Sequence, residues 1–254
     1  MLEIRDITKV YNPGAITELR LFEHFNLTVP DGQFVSIVGS NGSGKTSLLN
    51  ILCGSIPATG GDVLVDGQSI MKQKEYQRYL TMGRVYQNPS LGTCPNLTML
   101  ENLSLADHKG KTFGLSFGIN KKRASFYRDE LAALGLGLED KMDVKLGALS
   151  GGQRQAVALL MATLTPLKFL ILDEHTAALD PKTAETIMKL TGKIVREKKL
   201  TALMVTHNLR YAVEYGDRLI MLHRGKIVMD KAGEEKAATT TEEILQVFNE
   251  ISIQ

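Results

Sequence analysis

Eight residues set the terms for the whole chain. Gly39-Ser40-Asn41-Gly42-Ser43-Gly44-Lys45-Thr46 satisfies G-x-x-x-x-G-K-[ST] at every fixed position. Residues 33–38 before it are a short apolar run with β-branched side chains, and residues 47–52 after it read as a helix. Strand, glycine loop and helix in that order is the setting that distinguishes a phosphate-binding loop from a chance glycine-rich turn. Gly39, Gly42 and Gly44 permit backbone angles that a side chain would forbid. The loop N–H groups can then converge on phosphate oxygens at the positive end of a helix. In that arrangement Lys45 reaches the β- and γ-phosphates and Thr46 offers its hydroxyl to Mg²⁺. Ser40, Asn41, Ser43 and Ser47 complete the candidate nucleotide contacts of this stretch.

The chain has 254 residues, enough for one large domain or a core carrying a subdomain. A hydrophobic content of 43% matches a chain with a real core. Thirty basic against 28 acidic residues leave a net charge of +2, no reason to expect general nucleic-acid binding. Cys53 and Cys94 are too few for a disulfide framework or a metal site, and both are expected to be small apolar filler. Residues 1–6 carry early acids and no apolar core, which is not a signal-peptide pattern. No run approaches the ~20 apolar residues that a membrane-spanning helix requires. Binding to a protein that does span a membrane stays open.

Leu2, Ile4, Ile7 and Val10, with polar residues between them, predict an amphipathic edge strand ending at Tyr11. Asn12-Pro13-Gly14 turns it towards a second strand over 22–29, and Pro30-Asp31-Gly32 leads into the strand before the phosphate loop. Further on, the pattern predicts a strand near 62–67, a helix over 73–80 and a strand at 83–86, with Gln87 at its end. From 88 to about 166 the pattern changes. Pro89 and Pro95 interrupt it, and 97–106, 121–134 and 153–163 then read as helices, with a polar loop over 107–120 containing Gly110, Gly114 and Gly118. The division expected is a core of 1–87 and 167–232, a helical subdomain of 88–166 and a short C-terminal helical extension of 233–254. Lys121-Lys122-Arg123 reads as a solvated helix start.

The sheet resumes at 169–173, an apolar run suited to a fully buried parallel strand. A helix over 181–198 opens with Pro181. A strand over 202–206, a helix near 209–215 and strands at 219–222 and 226–229 follow, the last two joined by Arg224-Gly225. Residues 241–251 predict an amphipathic helix with Ile244, Leu245, Phe248 and Ile251 on one face.

Asp173 ends the buried strand at 169–173, where an acid can hold Mg²⁺. Glu174, one residue on, stands where a carboxylate can polarise an attacking water. Leu149-Ser150-Gly151-Gly152-Gln153 opens a helix, so its serine hydroxyl and glycine N–H groups would make a second anion site. With that motif the chain, from about Leu2 to Asp230, resembles the ATP-binding-cassette family. The resemblance implies an α/β fold: a P-loop NTPase core with a mixed sheet, an antiparallel β subdomain and an inserted helical subdomain. It implies that Tyr11 stacks on adenine and that Gln87 lies in the flexible loop joining core to helices. Asp173 is then the Mg²⁺ acid, with Thr46 and Gln87 beside it, and Glu174 the catalytic base. Ala178-Leu179-Asp180 is the loop that crosses a dimer interface, and His207 the switch histidine that contacts the γ-phosphate. Lys45, Gln87, Glu174 and His207 form the implied catalytic set. Ser150, Gly151, Gly152 and Gln153 would close on the phosphate loop of a second copy, so that two ATP are buried head to tail.

The plainer, secondary reading of Tyr11 is a surface aromatic at a strand end. His175 departs from the small residue or proline often found beside the catalytic glutamate, and could tune the site or fill space. His24, His108 and His223 are read as structural or exposed, without a named partner.

The resemblance further implies ATP and Mg²⁺ as cofactors and a second copy of the chain as partner. A separate transmembrane permease subunit would dock in a groove after Gln87 that includes Pro89, Leu91, Leu97 and Leu100. An extracytoplasmic solute-binding protein is also implied, and no nucleic acid. The expected place is the cytoplasmic face of the cell membrane and the expected task import of a small solute such as an amino acid. The competing expectation is a soluble cassette ATPase acting on a scaffold, as in iron–sulfur cluster assembly. Long coiled coils, as in DNA-repair members, and a second cassette, as in translation factors, are not found in the sequence.

Overall fold

The structure is a computed structural model that describes residues 1–112 and 118–252. Gly114 of the expected loop lies outside the described residues. The larger sheet consists of β3 (Phe34–Gly39), β6 (Met82–Val85), β7 (Phe169–Asp173), β8 (Thr201–Val205), β9 (Arg218–His223) and β10 (Lys226–Ala232), in the order β10-β9-β3-β8-β7-β6. The strands from β9 to β6 run parallel and β10 pairs antiparallel at one edge. β3 and β8 are buried at every residue, and β7 at every residue but Asp173. That is why these stretches read as continuous apolar runs: helices cover both faces of a parallel sheet. The register sets Asp173 opposite Val205 and Val205 opposite Ile37. The loops that leave β3, β7 and β8 therefore emerge side by side at the carboxyl edge of the sheet, where α/β folds place ligands.

The smaller sheet has the order β2-β1-β4-β5, from β1 (Leu2–Tyr11), β2 (Leu19–Val29), β4 (Gly60–Val65) and β5 (Gln68–Ser69), all antiparallel. β1 is thus an inner strand, not the expected edge. Its hydrophobic spacing steps from 2 and 4 to 7, which strict alternation does not allow. A bulge explains the step: the pairing shifts register between Ile4 and Ile7, and Asp6 takes a left-handed φ of 53°. Leu2, Ile4 and Ile7 consequently all reach the core beneath α1 (Lys45–Cys53).

The helix expected at 73–80 contracts to α2 (Glu75–Arg78). Its buried Arg78 donates to the carbonyls of Ile51 at 2.7 Å and Leu52 at 3.0 Å, closing the C-terminal end of α1. α3 (Met99–Asp107), α4 (Ala124–Ala132) and α5 (Gly151–Thr163) bury Met99, Leu103, Tyr127, Leu131 and Val157 against one another. Thr98 and Glu101 cap α3 reciprocally, and Ser150 and Gln153 do the same for α5. Asn102 is fully buried and ties the turn before α3 together, accepting from Cys94 N and donating to the carbonyls of Cys94 and Thr98.

Residues 121–123 form a 3-10 turn that leads directly into α4, with Lys121 and Lys122 exposed as expected and Arg123 partly buried. Arg123 pairs with the buried carboxylate of Asp107 at 2.9 Å and lies 4.2 Å from the Phe126 ring centre. Cys53 is buried as expected, but Cys94 is exposed and fills nothing. α6 (Pro181–Glu197) and α7 (Leu209–Glu214) flank the sheet. The short α8 (Gly233–Ala237) carries too little periodicity to be read from sequence. α9 (Thr241–Ser252) packs through Ile244, Val247, Phe248 and Ile251, while Leu245 points to solvent. At 100° per residue the buried stripe is 244, 247, 248 and 251, which leaves 245 outside it. Among the described residues, no helix is long and apolar enough to cross a membrane.

Candidate functional site

The loop between β3 and α1 wraps a cavity of about 260 Å³ lined by Asn41, Gly42, Ser43, Gly44, Lys45, Thr46 and Ser47 together with Tyr11, Leu19, Leu21, Glu174 and His207. Gly44, the residue before α1, has φ 107°, and a Cβ there would lie 2.8 Å from the Phe22 ring. Gly39 is needed for close approach, since its Cβ would meet the Leu222 carbonyl at 2.3 Å. No side chain caps α1, so its first-turn N–H groups are left for an anion. Lys45 is buried and its ammonium donates to the carbonyls of Gly39 at 2.8 Å and Ser40 at 3.0 Å. Burial lowers its pKa, with the nearby Glu174 carboxylate opposing the shift. Ser43 Oγ is buried without a hydrogen-bond partner among the described residues. A cation and unpaired donors around an open cavity make a site for phosphate.

Tyr11 stands at the end of β1, and its hydroxyl lies 3.0 Å from Ser47 Oγ on α1. Lys9 Nζ is 4.7 Å from the Tyr11 ring centre. The ring is therefore fixed at the cavity by two contacts, and Leu19 and Leu21 extend an apolar wall beside it. A planar base would find stacking and apolar contact there.

The two acids after β7 have different surroundings. Glu174 adopts φ 48°, unusual for a side-chain-bearing residue, and its N–H donates to the Val205 carbonyl at 3.0 Å. The turn aims its carboxylate at His207, whose Nε2 is 2.6 Å from Glu174 Oε1. Asp173 instead accepts a hydrogen bond from Arg84 Nη2 at 2.6 Å. The hydroxyl of Thr46 and the carboxylate of Asp173 are hard oxygen donors, the kind Mg²⁺ takes. Among the described residues no three His, Cys, Asp or Glu side chains cluster to hold a metal. By donor type, Thr46 and Asp173 would suit Mg²⁺.

Ser150, Gly151, Gly152 and Gln153 do not line the phosphate cavity among its described residues. Gly151 and Gly152 lie beside the 178–180 loop and the first turn of α6 instead: a Cβ on Gly151 would be 3.5 Å from Leu179 and one on Gly152 2.1 Å from Thr183. Gln87 also stays off the cavity wall and is exposed. His175 turns away from the phosphates. It is buried, its Nε2 lies 3.0 Å from Thr191 Oγ1, and burial lowers its pKa to about 4. It therefore fills space under α6 as a neutral imidazole. His24 and His223 do have partners, Asp6 at 2.6 Å and Ser40 Oγ at 3.4 Å, and His108 Nδ1 lies 2.9 Å from the Ser104 carbonyl.

Sequence reading missed Arg84, Asn50, Leu19 and Leu21. Arg84 was the detectable one: a cation inside the short strand 83–86 has to find an anion or reach solvent.

The family description "ABC transporter" matches residues 22–177. The chain is 48% identical over 248 residues to a tyrosine transport ATP-binding protein of Clostridioides difficile, covering 98% of each chain. It is 35% identical over 238 residues to the ABC transporter ATP-binding protein YvrO of Bacillus subtilis, covering 92% of this chain and 98% of that one. The fold superposes on the ATP-binding cassette MJ0796 in a dimeric post-hydrolysis state bound to ADP and Pi, with a TM-score of 0.77 and 31% identity over 91% of this chain and 98% of that one.

Proposed function

The chain belongs to the ABC transporter family and is an ATP-hydrolysing, ATP-binding cassette of that family; from that premise we propose that it drives import of an amino acid with an aromatic side chain, tyrosine foremost, through a separate membrane subunit. The observation that carries the solute is the 48% identity, over 98% of both chains, to a tyrosine transport protein. The relatives reported above are transport proteins, which favours this reading over a cluster-assembly ATPase. The chain works from the cytoplasmic face of the membrane, and an extracytoplasmic binding protein delivers the solute. Residues 1–87 and 167–232 act as the nucleotide-binding core, 88–166 as the helical part that meets the membrane subunit, and 233–254 as a C-terminal extension. The docking groove lies after Gln87, around Pro89, Leu91, Leu97 and Leu100, and no nucleic acid takes part.

Two copies close head to tail around two ATP. The support is the separation just described: Ser150–Gln153 cap a helix away from the chain's own phosphate cavity, so a second chain is needed to bring them onto a γ-phosphate. Tyr11 stacks on the adenine. Lys45 leaves its two carbonyl acceptors for the β- and γ-phosphates and neutralises their charge. Thr46 and Asp173, with Gln87 as a further candidate ligand, would hold Mg²⁺, which would supply Lewis-acid polarisation of the phosphate oxygens. Glu174 orients the attacking water and accepts its proton, and His207 holds the Glu174 carboxylate and reaches the γ-phosphate. Loss of the γ-phosphate removes the charge that joins the two faces, and the pair reopens.

Glu174→Gln should lower ATP hydrolysis by about 10²-fold or more and hold the chain as a dimer in ATP on size exclusion; a monomer under those conditions would refute the head-to-tail reading. Cells lacking the chain should lose uptake of labelled tyrosine, regain it with the native chain and not with Glu174→Gln. Unchanged tyrosine uptake in the deleted cells would sink the solute assignment.

A further inference from the structure

Asp173 and Glu174 are neighbours in sequence, yet each has its own partner. Glu174 Oε1 meets His207 Nε2 at 2.6 Å. Asp173 Oδ2 meets Arg84 Nη2 at 2.6 Å, and a guanidinium keeps its charge. Both side chains are largely out of solvent, 6% exposed for Arg84 and 15% for Asp173, so water screens the pair little. The guanidinium has two further contacts, although its Nε is buried without a hydrogen-bond partner among the described residues. Nη1 donates to Asn50 Oδ1 on α1 at 2.9 Å, and the group lies 4.6 Å from the Tyr86 ring centre. The parallel register sets Arg84 opposite Ile171, two residues before Asp173. Arg84 is therefore fixed to the helix after the phosphate loop, to the strand bearing the acid and to the aromatic before Gln87.

We propose that Arg84 is a positioning residue that holds Asp173 in a neutral ion pair, so that a divalent cation enters only together with the nucleotide phosphates and not onto Asp173 alone. The proposal rests on the reading of Asp173 as the metal acid. One carboxylate oxygen is occupied by Arg84, leaving Oδ1 for the ion or its water. The positive charge a few ångströms away opposes a dication until phosphate oxygens add negative charge to the site. Without that charge, the Asp173 carboxylate at the edge of a low-dielectric sheet would attract a dication on its own.

The test is Mn²⁺ binding, read by electron paramagnetic resonance as a substitute for Mg²⁺, to the full chain with and without a non-hydrolysable ATP analogue. Arg84→Met should bind Mn²⁺ without nucleotide at least tenfold more tightly than the native chain. Arg84→Lys, which keeps the charge, should behave as native, and Arg84→Met combined with Asp173→Asn should lose the gain. If Arg84→Met does not fold by circular dichroism, Arg84→Gln, neutral but able to hydrogen-bond, should show the same tightening. An unchanged nucleotide-free affinity in the folded neutral variant overturns the proposal, as does equal behaviour of the Lys and neutral variants. Asp173→Asn alone should weaken nucleotide-dependent Mn²⁺ binding at least tenfold; if it does not, the metal-acid reading fails and the proposal goes with it.

Discussion

At the scale of single residues, the phosphate loop separates two reasons for a glycine. Gly42 has φ 78° and nothing within 4 Å of a would-be Cβ, whereas Gly44 combines φ 107° with a Cβ position 2.8 Å from the Phe22 ring. Phe22 is fully buried and packs on Phe25 with ring centres 5.0 Å apart, so it has little room to retreat. Gly42→Ala carries only backbone strain of about 1–2 kcal/mol. Gly44→Ala adds a steric clash at the start of α1 and should weaken ATP binding at least tenfold more than Gly42→Ala, measured by isothermal titration. Equal losses would mean that Phe22 is not the constraint. The pattern G-x-x-x-x-G-K-[ST] fixes Gly44 and leaves Gly42 at a free position; the packing of β2 against the loop supplies the physical reason for the fixed one.

At the scale of elements, the segment from β6 to the end of α3 holds a cost that stability alone would not retain. Lys109, just past α3, donates to the Met82 carbonyl at 2.8 Å and lines a groove of about 270 Å³ with Tyr79, Tyr86 and Leu91. Burial lowers its pKa to about 8 from an ordinary 10.5. Between these values the unfolded chain binds more protons than the folded one, so stability rises with pH across that window; below about pH 8 the folded state carries the whole penalty. Lys109→Met should therefore stabilise the chain at pH 7 by about 1–2 kcal/mol, after allowance for solvent screening and the lost hydrogen bond. The gain should shrink towards pH 10, followed by urea unfolding at both pH values. A destabilised variant at pH 7, or a gain independent of pH, would show that the buried charge is not the cause.

At the scale of the whole molecule, the Ser150–Gln153 helix cap does not line the chain's own phosphate cavity, and in the proposed dimer the two would be halves of one site. A mixture makes the proposed geometry testable. In a Glu174→Gln background, chains with Lys45→Ala and chains with Ser150→Arg should each stay monomeric in ATP. Mixed, they should form dimers holding one ATP, because one pairing unites an intact phosphate loop with an intact Ser150. Light scattering with bound-nucleotide quantification reads the outcome, and no dimer in the mixture would contradict the head-to-tail arrangement.

The parts legible from sequence are those controlled by near neighbours. The phosphate loop depends on closely spaced glycines and a lysine, β7 and β8 on unbroken apolar runs, and α5 on the cap pairing Ser150 with Gln153. The ATP-binding-cassette resemblance rests on such stretches in order along the chain. What tertiary structure alone decided is whatever depends on pairing across long separations. The bulge at Asp6 and the inner place of β1 follow from partners more than fifteen residues away. The Glu174–His207 pair arises because β7 and β8 lie in register with Asp173 opposite Val205, and the Arg84–Asp173 ion pair because β6 lies beside β7 across 89 residues of chain. A strand's residue pattern states which face is apolar, but its partner is chosen by the free energy of the assembled sheet, and no local stretch of sequence contains that sum.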